Sequence, residues 1–143
     1  MTKLDSNGTD IWTYIIGLTE SKPELDGFAI CPYLKRFISQ IQVVKGFDHC
    51  DWACEQVIQG CPAVVLYEWN DQCEHTANDL VKRYQHQDIE VLWMDPESTE
   101  PPLMIEDYTY RKHHLIIIQQ RSLLESARKQ LEKSTYYKFW RDN

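Results

Sequence analysis

Apolar residues along the chain fall either at helical spacing or in short continuous runs, and the switching between the two sets out the elements. In "DIWTYIIGL", Ile11, Ile15 and Leu18 share one face with Trp12 and Ile16 beside them, which predicts a helix capped by Asp10. "SKPELDG" ends it, because Pro23 and Gly27 both oppose helix continuation. "IQVVKG" predicts a strand, and "HCDWACEQVIQG" predicts a short helix stopped at Gly60. "PAVVLYEW" is the clearest strand, with β-branched and aromatic residues between turn signals. "DQCEHTANDLVKRYQHQ" reads as a polar-faced helix, "IEVLWM" as a strand and "DPESTEPPL" as a loop.

Near the end, "HHLIIIQQ" is apolar on both parities, as a central strand buried on both faces requires. "RSLLESARKQLEKSTYYKFW" then predicts a closing helix, with Ser122 and Glu125 as a capping box and Leu124, Ala127 and Leu131 as its buried stripe. The fold class expected is α/β: one mixed sheet of about four strands with helices packed on it, in the order αβαβαββα. Residues 1–9 read as a mobile tail and residues 10–143 as a single domain, with no internal repeat.

Composition narrows the function classes. A 143-residue chain that is 43% hydrophobic, with 5 Trp and 8 Tyr, has the material for a packed core. Its 15 Lys+Arg against 22 Asp+Glu leave a net charge of −7, which favours solubility and opposes nonspecific binding to nucleic acid or a membrane surface. No apolar run is long enough for a membrane span, and "MTKLDSNGTD" lacks the apolar stretch of a secretory signal. A cytoplasmic protein is therefore expected, with its five cysteines reduced.

The candidate chemistry centres on "ICPYLKRF". A thiol at the start of a helix faces unpaired N–H groups and the positive end of the dipole, which favour thiolate, and Lys35 and Arg36 would add positive potential one turn along. The competing reading is a small buried hydrophobe, since "GFAIC" is apolar up to the sulfur. Cys50 and Cys54 share one helix face with His49 nearby, but they lack the close pairs of a structural zinc site. Cys61, Cys73 and His75 could complete a set only through the tertiary fold, so no metal is expected. His113 and His114 are neighbours on a strand, point to opposite faces and cannot chelate together. There is no GxGxxG, P-loop or GxSxG, and no cofactor is expected.

Two resemblances bear on the same cysteine. "CPYLKR" resembles the "CPYC" active-site turn of glutaredoxins, with Leu34 where the second cysteine would stand, and "GCPAVVLYE" resembles the stretch that carries that family's cis-proline. This resemblance implies a thioredoxin-like fold, with Cys31 as nucleophile and Pro62 as a cis-proline facing it and shaping the substrate groove. With no resolving cysteine at Leu34, a redox cycle would need an external small thiol or protein partner, or a distant residue such as Cys61.

More of the chain, from about Ile11 to Leu131, is similar to a family of small uncharacterised bacterial proteins. Those show a helix, a "GLxLCPFA"-type stretch, an alternating α/β body and "HLLR" before a last helix. Here "GFAICPYL" and "HHLIIIQQRSLLESA" stand in that order and single out Cys31 and His114. The function expected is a thiol-dependent, glutaredoxin-like protein acting through Cys31. The alternative is a noncatalytic protein-interaction module using the aromatic "STYYKFW" end of the last helix.

Overall fold

The computed structural model describes residues 6–97, 110 and 112–139. Its strands are β1 (Gln42–Lys45), β2 (Ala63–Glu68), β3 (Ile89–Met94) and β4 (His114–Gln120). Its helices are α1 (Ser6–Thr19), α2 (Pro32–Phe37), α3 (Cys50–Ile58), α4 (Cys73–Arg83) and α5 (Arg121–Glu132). Short 3₁₀ turns lie at Pro23–Leu25, Ile38–Gln40, Phe47–His49 and Tyr136–Phe139.

The four strands form one mixed sheet in the order β1-β2-β4-β3. β1 runs parallel to β2, while β4 is antiparallel to both of its neighbours. β2 and β4 are therefore central, and their side chains alternate between two cores. Val65 and Tyr67 of β2, with Leu115 of β4, pack under α1, α2 and α5. Val64, Leu66, Ile116 and Ile118 pack against α3 and α4 with Cys50, Cys54 and Leu80. Burial on both faces is why these strands read as continuous apolar runs. No helix among the described residues is long and apolar enough to cross a membrane.

Three sequence expectations need correction. α1 begins at Ser6, so residues 6–9 belong to the helix and not to a tail, and residues 1–5 lie outside the described residues. Asp10 is then inside the helix, where its carboxylate meets Lys112 Nζ at 3.2 Å instead of capping. The capping box at Ser122 and Glu125 is also absent. Asp88, just ahead of β3, accepts hydrogen bonds from the Ser122 amide (2.8 Å) and hydroxyl (2.6 Å), so the start of α5 is capped from across the fold.

The last helix stops at Glu132, short of the aromatic cluster. Ser134 Oγ donates back to the Leu131 carbonyl at 2.7 Å, and the chain turns at Tyr136–Phe139. Of the predicted loop "DPESTEPPL", residues 98–103 lie outside the described residues, as does Trp140.

Candidate functional site

An apolar cavity of about 320 Å³ lies between one face of the sheet and the helices above it. Strand alternation builds its floor. Leu115, Ile117 and Gln119 point to the same side of β4, and the register sets Met94, Leu92 and Glu90 of β3 beside them. α1, α2 and α5 supply the walls through Leu18, Leu34 and Leu124, and Tyr136 and Tyr137 close one side.

Gln119 is the exception in this floor. It is 3% exposed, lines the cavity, and its Oε1 has no hydrogen-bond partner. Leaving such a buried acceptor unmade costs on the order of 1–3 kcal/mol. Among the described residues that line the cavity, Arg128 is the charged one, and it makes a two-pronged contact with Glu90, at 3.3 and 2.8 Å.

Cys31 stands on the wall of this cavity, at the residue that opens α2. Its amide donates to the Leu18 carbonyl (2.9 Å), and its own carbonyl accepts from the Lys35 amide (3.1 Å). The expected helix-start geometry is present. The amides of Leu34 and Tyr33 approach the sulfur and pull its pKa down, but burial is the larger effect and pushes the thiol above its ordinary value. The residue is only half-buried by surface, since part of it faces the cavity, yet the sulfur itself is surrounded by protein.

Lys35 and Arg36 keep their charges but add nothing to the two amides in lowering the pKa of Cys31. Lys35 Nζ donates to Ser21 Oγ at 2.9 Å, and Arg36 lies over the Phe37 ring at 5.4 Å. The expectation of a low-pKa thiolate at Cys31 is thereby reversed, because desolvation outweighs two amide dipoles.

Pro62 departs from its expected role too. No described peptide bond is cis, so the bond before Pro62 is trans, and Pro62 is not among the cavity-lining residues. It is buried at the entry to β2, where its carbonyl accepts from the Tyr33 hydroxyl (2.7 Å) and the Gln120 amide (3.1 Å). The structure does tie the segment after Cys31 to Pro62, through Tyr33. Cys61, next to it, is occupied locally: Gln42 Nε2 reaches its sulfur at 3.6 Å, and its thiol reaches the Ala63 carbonyl at 3.3 Å.

The remaining candidates sort by burial. Cys50, Cys54 and Cys73 are packed in the core on the other face of the sheet. Among the described residues, no group of three His, Cys, Asp or Glu side chains is placed to hold a metal ion. His113 and His114 do point to opposite sides. His113 meets the Tyr110 hydroxyl at 3.1 Å, whereas His114 faces Asp95 and Trp69. Tyr136 is 3% exposed and donates to the Ile30 carbonyl, so this ring of the aromatic end is spent on packing.

Gln119 is the site residue that sequence patterning missed. Its signal is a polar residue on the parity of Leu115 and Ile117, inside an otherwise apolar row.

No family model, curated protein or solved structure matches the chain. The likenesses of "CPYLKR" and "GFAICPYL" to known families therefore contribute no residue roles.

Proposed function

We propose that this chain is a small-molecule-binding α/β domain whose ligand occupies the cavity under α1, α2 and α5. The carrying observation is the unpartnered Oε1 of Gln119 in the floor of an otherwise apolar cavity. Pockets that bind small molecules combine apolar walls with a few placed polar groups that fix orientation. Because Arg128 and Glu90 pair with each other, the ligand is uncharged. A hydroxyl suits Gln119 best, since it can both donate and accept. An apolar cavity of about 150 Å³ holds one benzene, so about 320 Å³ suits a two-ring body.

Cys31 serves there as a neutral thiol on the wall, a soft contact and weak donor. The thiol-dependent, glutaredoxin-like reading takes second place. It draws support from the two amides that approach the sulfur. A thioredoxin-like site would also want a cis-proline facing the thiol, and the trans bond at Pro62 weighs against it. The interaction-module reading loses one ring of its aromatic cluster, since Tyr136 is buried. Five free thiols support a reducing, cytoplasmic setting.

The test compares 2-naphthol with naphthalene by ligand-observed NMR and thermal shift. 2-Naphthol should bind about five- to tenfold more tightly through its hydroxyl. Gln119→Leu should abolish that preference while keeping both ligands bound. If neither compound binds, or if Gln119→Leu leaves the preference intact, the cavity is not this site.

A further inference from the structure

β3 is an edge strand of the sheet, and among the described residues no strand pairs with its side away from β4. The ladder shows which backbone groups point there. The Arg121 amide donates to the Asp88 carbonyl at 3.2 Å, and these two residues stand opposite each other where the β3–β4 register continues by one step. Hydrogen-bonded and non-hydrogen-bonded pairs alternate along an antiparallel ladder, so Glu90, Leu92 and Met94 turn their backbone groups to β4. The amides and carbonyls of Ile89, Val91 and Trp93 therefore face outward. Leu92 is 42% exposed and its neighbour Trp93 is 41% exposed, and they lie on opposite faces, so this edge is uncovered above and below the sheet. Edge strands of soluble proteins are commonly blunted by lysine, proline or a bulge. β3 has none of these, and its one charged residue, Glu90, is held by Arg128. β1, at the other edge, is shorter and ends on exposed Lys45.

We propose that β3 pairs with β3 of a second copy of this chain, antiparallel and about a two-fold axis at Leu92, so that the two sheets become one. A second copy is the occupant because the strand is complementary to itself. A two-fold axis perpendicular to the sheet sets like face beside like face, so residues meet only those of their own parity. Centred on Leu92, the pairing sets Leu92 beside its own counterpart, Val91 against Trp93 and Glu90 against Met94. Both exposed apolar side chains are then covered by apolar ones. Val91 and Trp93 exchange their outward amides and carbonyls, while the Leu92 pair falls between them, where side chains approach most closely. Neighbouring registers are poorer. An axis at Val91 sets the Glu90 carboxylate against Leu92, and an axis at Trp93 sets Asp95 against Val91. In the Leu92 register the two Glu90 carboxylates stand apart and each keeps its own Arg128, so no like charges are opposed. This interface needs no ligand in the apolar cavity, and either proposal can fail alone.

Sedimentation equilibrium of the full chain over a wide concentration range tests the proposal, in the wild type and in Trp93→Lys. Trp93 is exposed, so the variant should fold, and circular dichroism checks that it does. A monomer–dimer equilibrium is expected, with its Kd raised about tenfold or more by the lysine. Leu92→Cys tests the register without that variant. Directly opposed residues in a non-hydrogen-bonded pair have Cα atoms about 4.5 Å apart, within reach of a disulfide. Mild oxidation should link Leu92→Cys into dimers on a non-reducing gel, above the background that the native thiols give in the wild type, and faster than it links Val91→Cys. A monomer at every concentration, a dimer that Trp93→Lys leaves intact, or faster linking of Val91→Cys overturns the proposal.

Discussion

The phenol of Tyr33 donates to the carbonyl of Pro62 over 2.7 Å inside the protein, joining α2 to the entry of β2. That bond helps to place Cys31, alongside the Cys31 amide bond to the Leu18 carbonyl, because Tyr33 lies in the first turn of the helix that Cys31 opens. Burial of the hydroxyl pushes its pKa up to about 12, so it stays protonated, and a donor, well above neutral pH. Tyr33→Phe should leave the Pro62 carbonyl with the Gln120 amide alone. The expected cost is about 1 kcal/mol in urea unfolding, with a cooperative transition retained. A variant as stable as the wild type would show that the bond contributes nothing net.

Asp88 caps α5 in place of the Ser122 and Glu125 pair. Asp88→Ala should therefore cost about 1 kcal/mol, within the usual range for losing a helix cap. Glu125→Ala, at an exposed position, should sit within about 0.5 kcal/mol of wild type. Thermal unfolding of the two variants compares them directly, and the reverse ranking would restore the local capping box.

What the sequence carries and what it does not follow from the range of the forces involved. The strand at "IEVLWM" and the switch from "HLIII" into a helix are local patterns, and both appear where the periodicity places them. The Asp88 cap on Ser122 joins residues 34 apart in sequence, and no local signal can announce it. Cys31 illustrates the same divide. Its place at a helix start is readable from Pro32, but its protonation depends on how closely distant elements surround the sulfur. Gln119 was readable in principle, as a polar break in an apolar row, though its empty acceptor belongs to the tertiary structure.

Neighbouring isoleucines of β4 should respond differently to truncation. Ile116 is fully buried between β2, β3 and the α3–α4 layer, and Ile116→Ala should cost about 2–5 kcal/mol. Ile117 faces the cavity, where part of its surface already lacks packing partners. Ile117→Ala should fall at or below the lower end of that range. Ile117→Asp, by contrast, should unfold the domain, because it sets a charge on the apolar floor without a partner. Equal losses for the two alanine variants would mean that the cavity is filled in solution.

The thiol of Cys31 supplies the last test, because two opposing influences meet on it. The amides of Leu34 and Tyr33 favour thiolate and burial disfavours it more, leaving the pKa raised. Alkylation by iodoacetamide requires thiolate, so at pH 7 Cys31 should react slowly, and half-exposed Cys61 should be labelled before it. The linkage has a definite sign. A thiol that holds its proton more tightly when folded contributes stability that is complete below the ordinary range near about 8.5. That contribution is lost as pH rises through the higher folded value. Cys50 and Cys54, raised to about 12 chiefly by burial, add to the same trend. Unfolding free energy should therefore be level from pH 6 to 8 with respect to these thiols and fall progressively in the alkaline range, with a shallower fall in Cys31→Ala. Peptide mapping after brief alkylation gives the order of labelling, and 2-naphthol should slow Cys31 further if both share one cavity. If Cys31 is the first cysteine labelled at pH 7 in the folded protein, the amides have won over burial and the glutaredoxin-like reading regains first place.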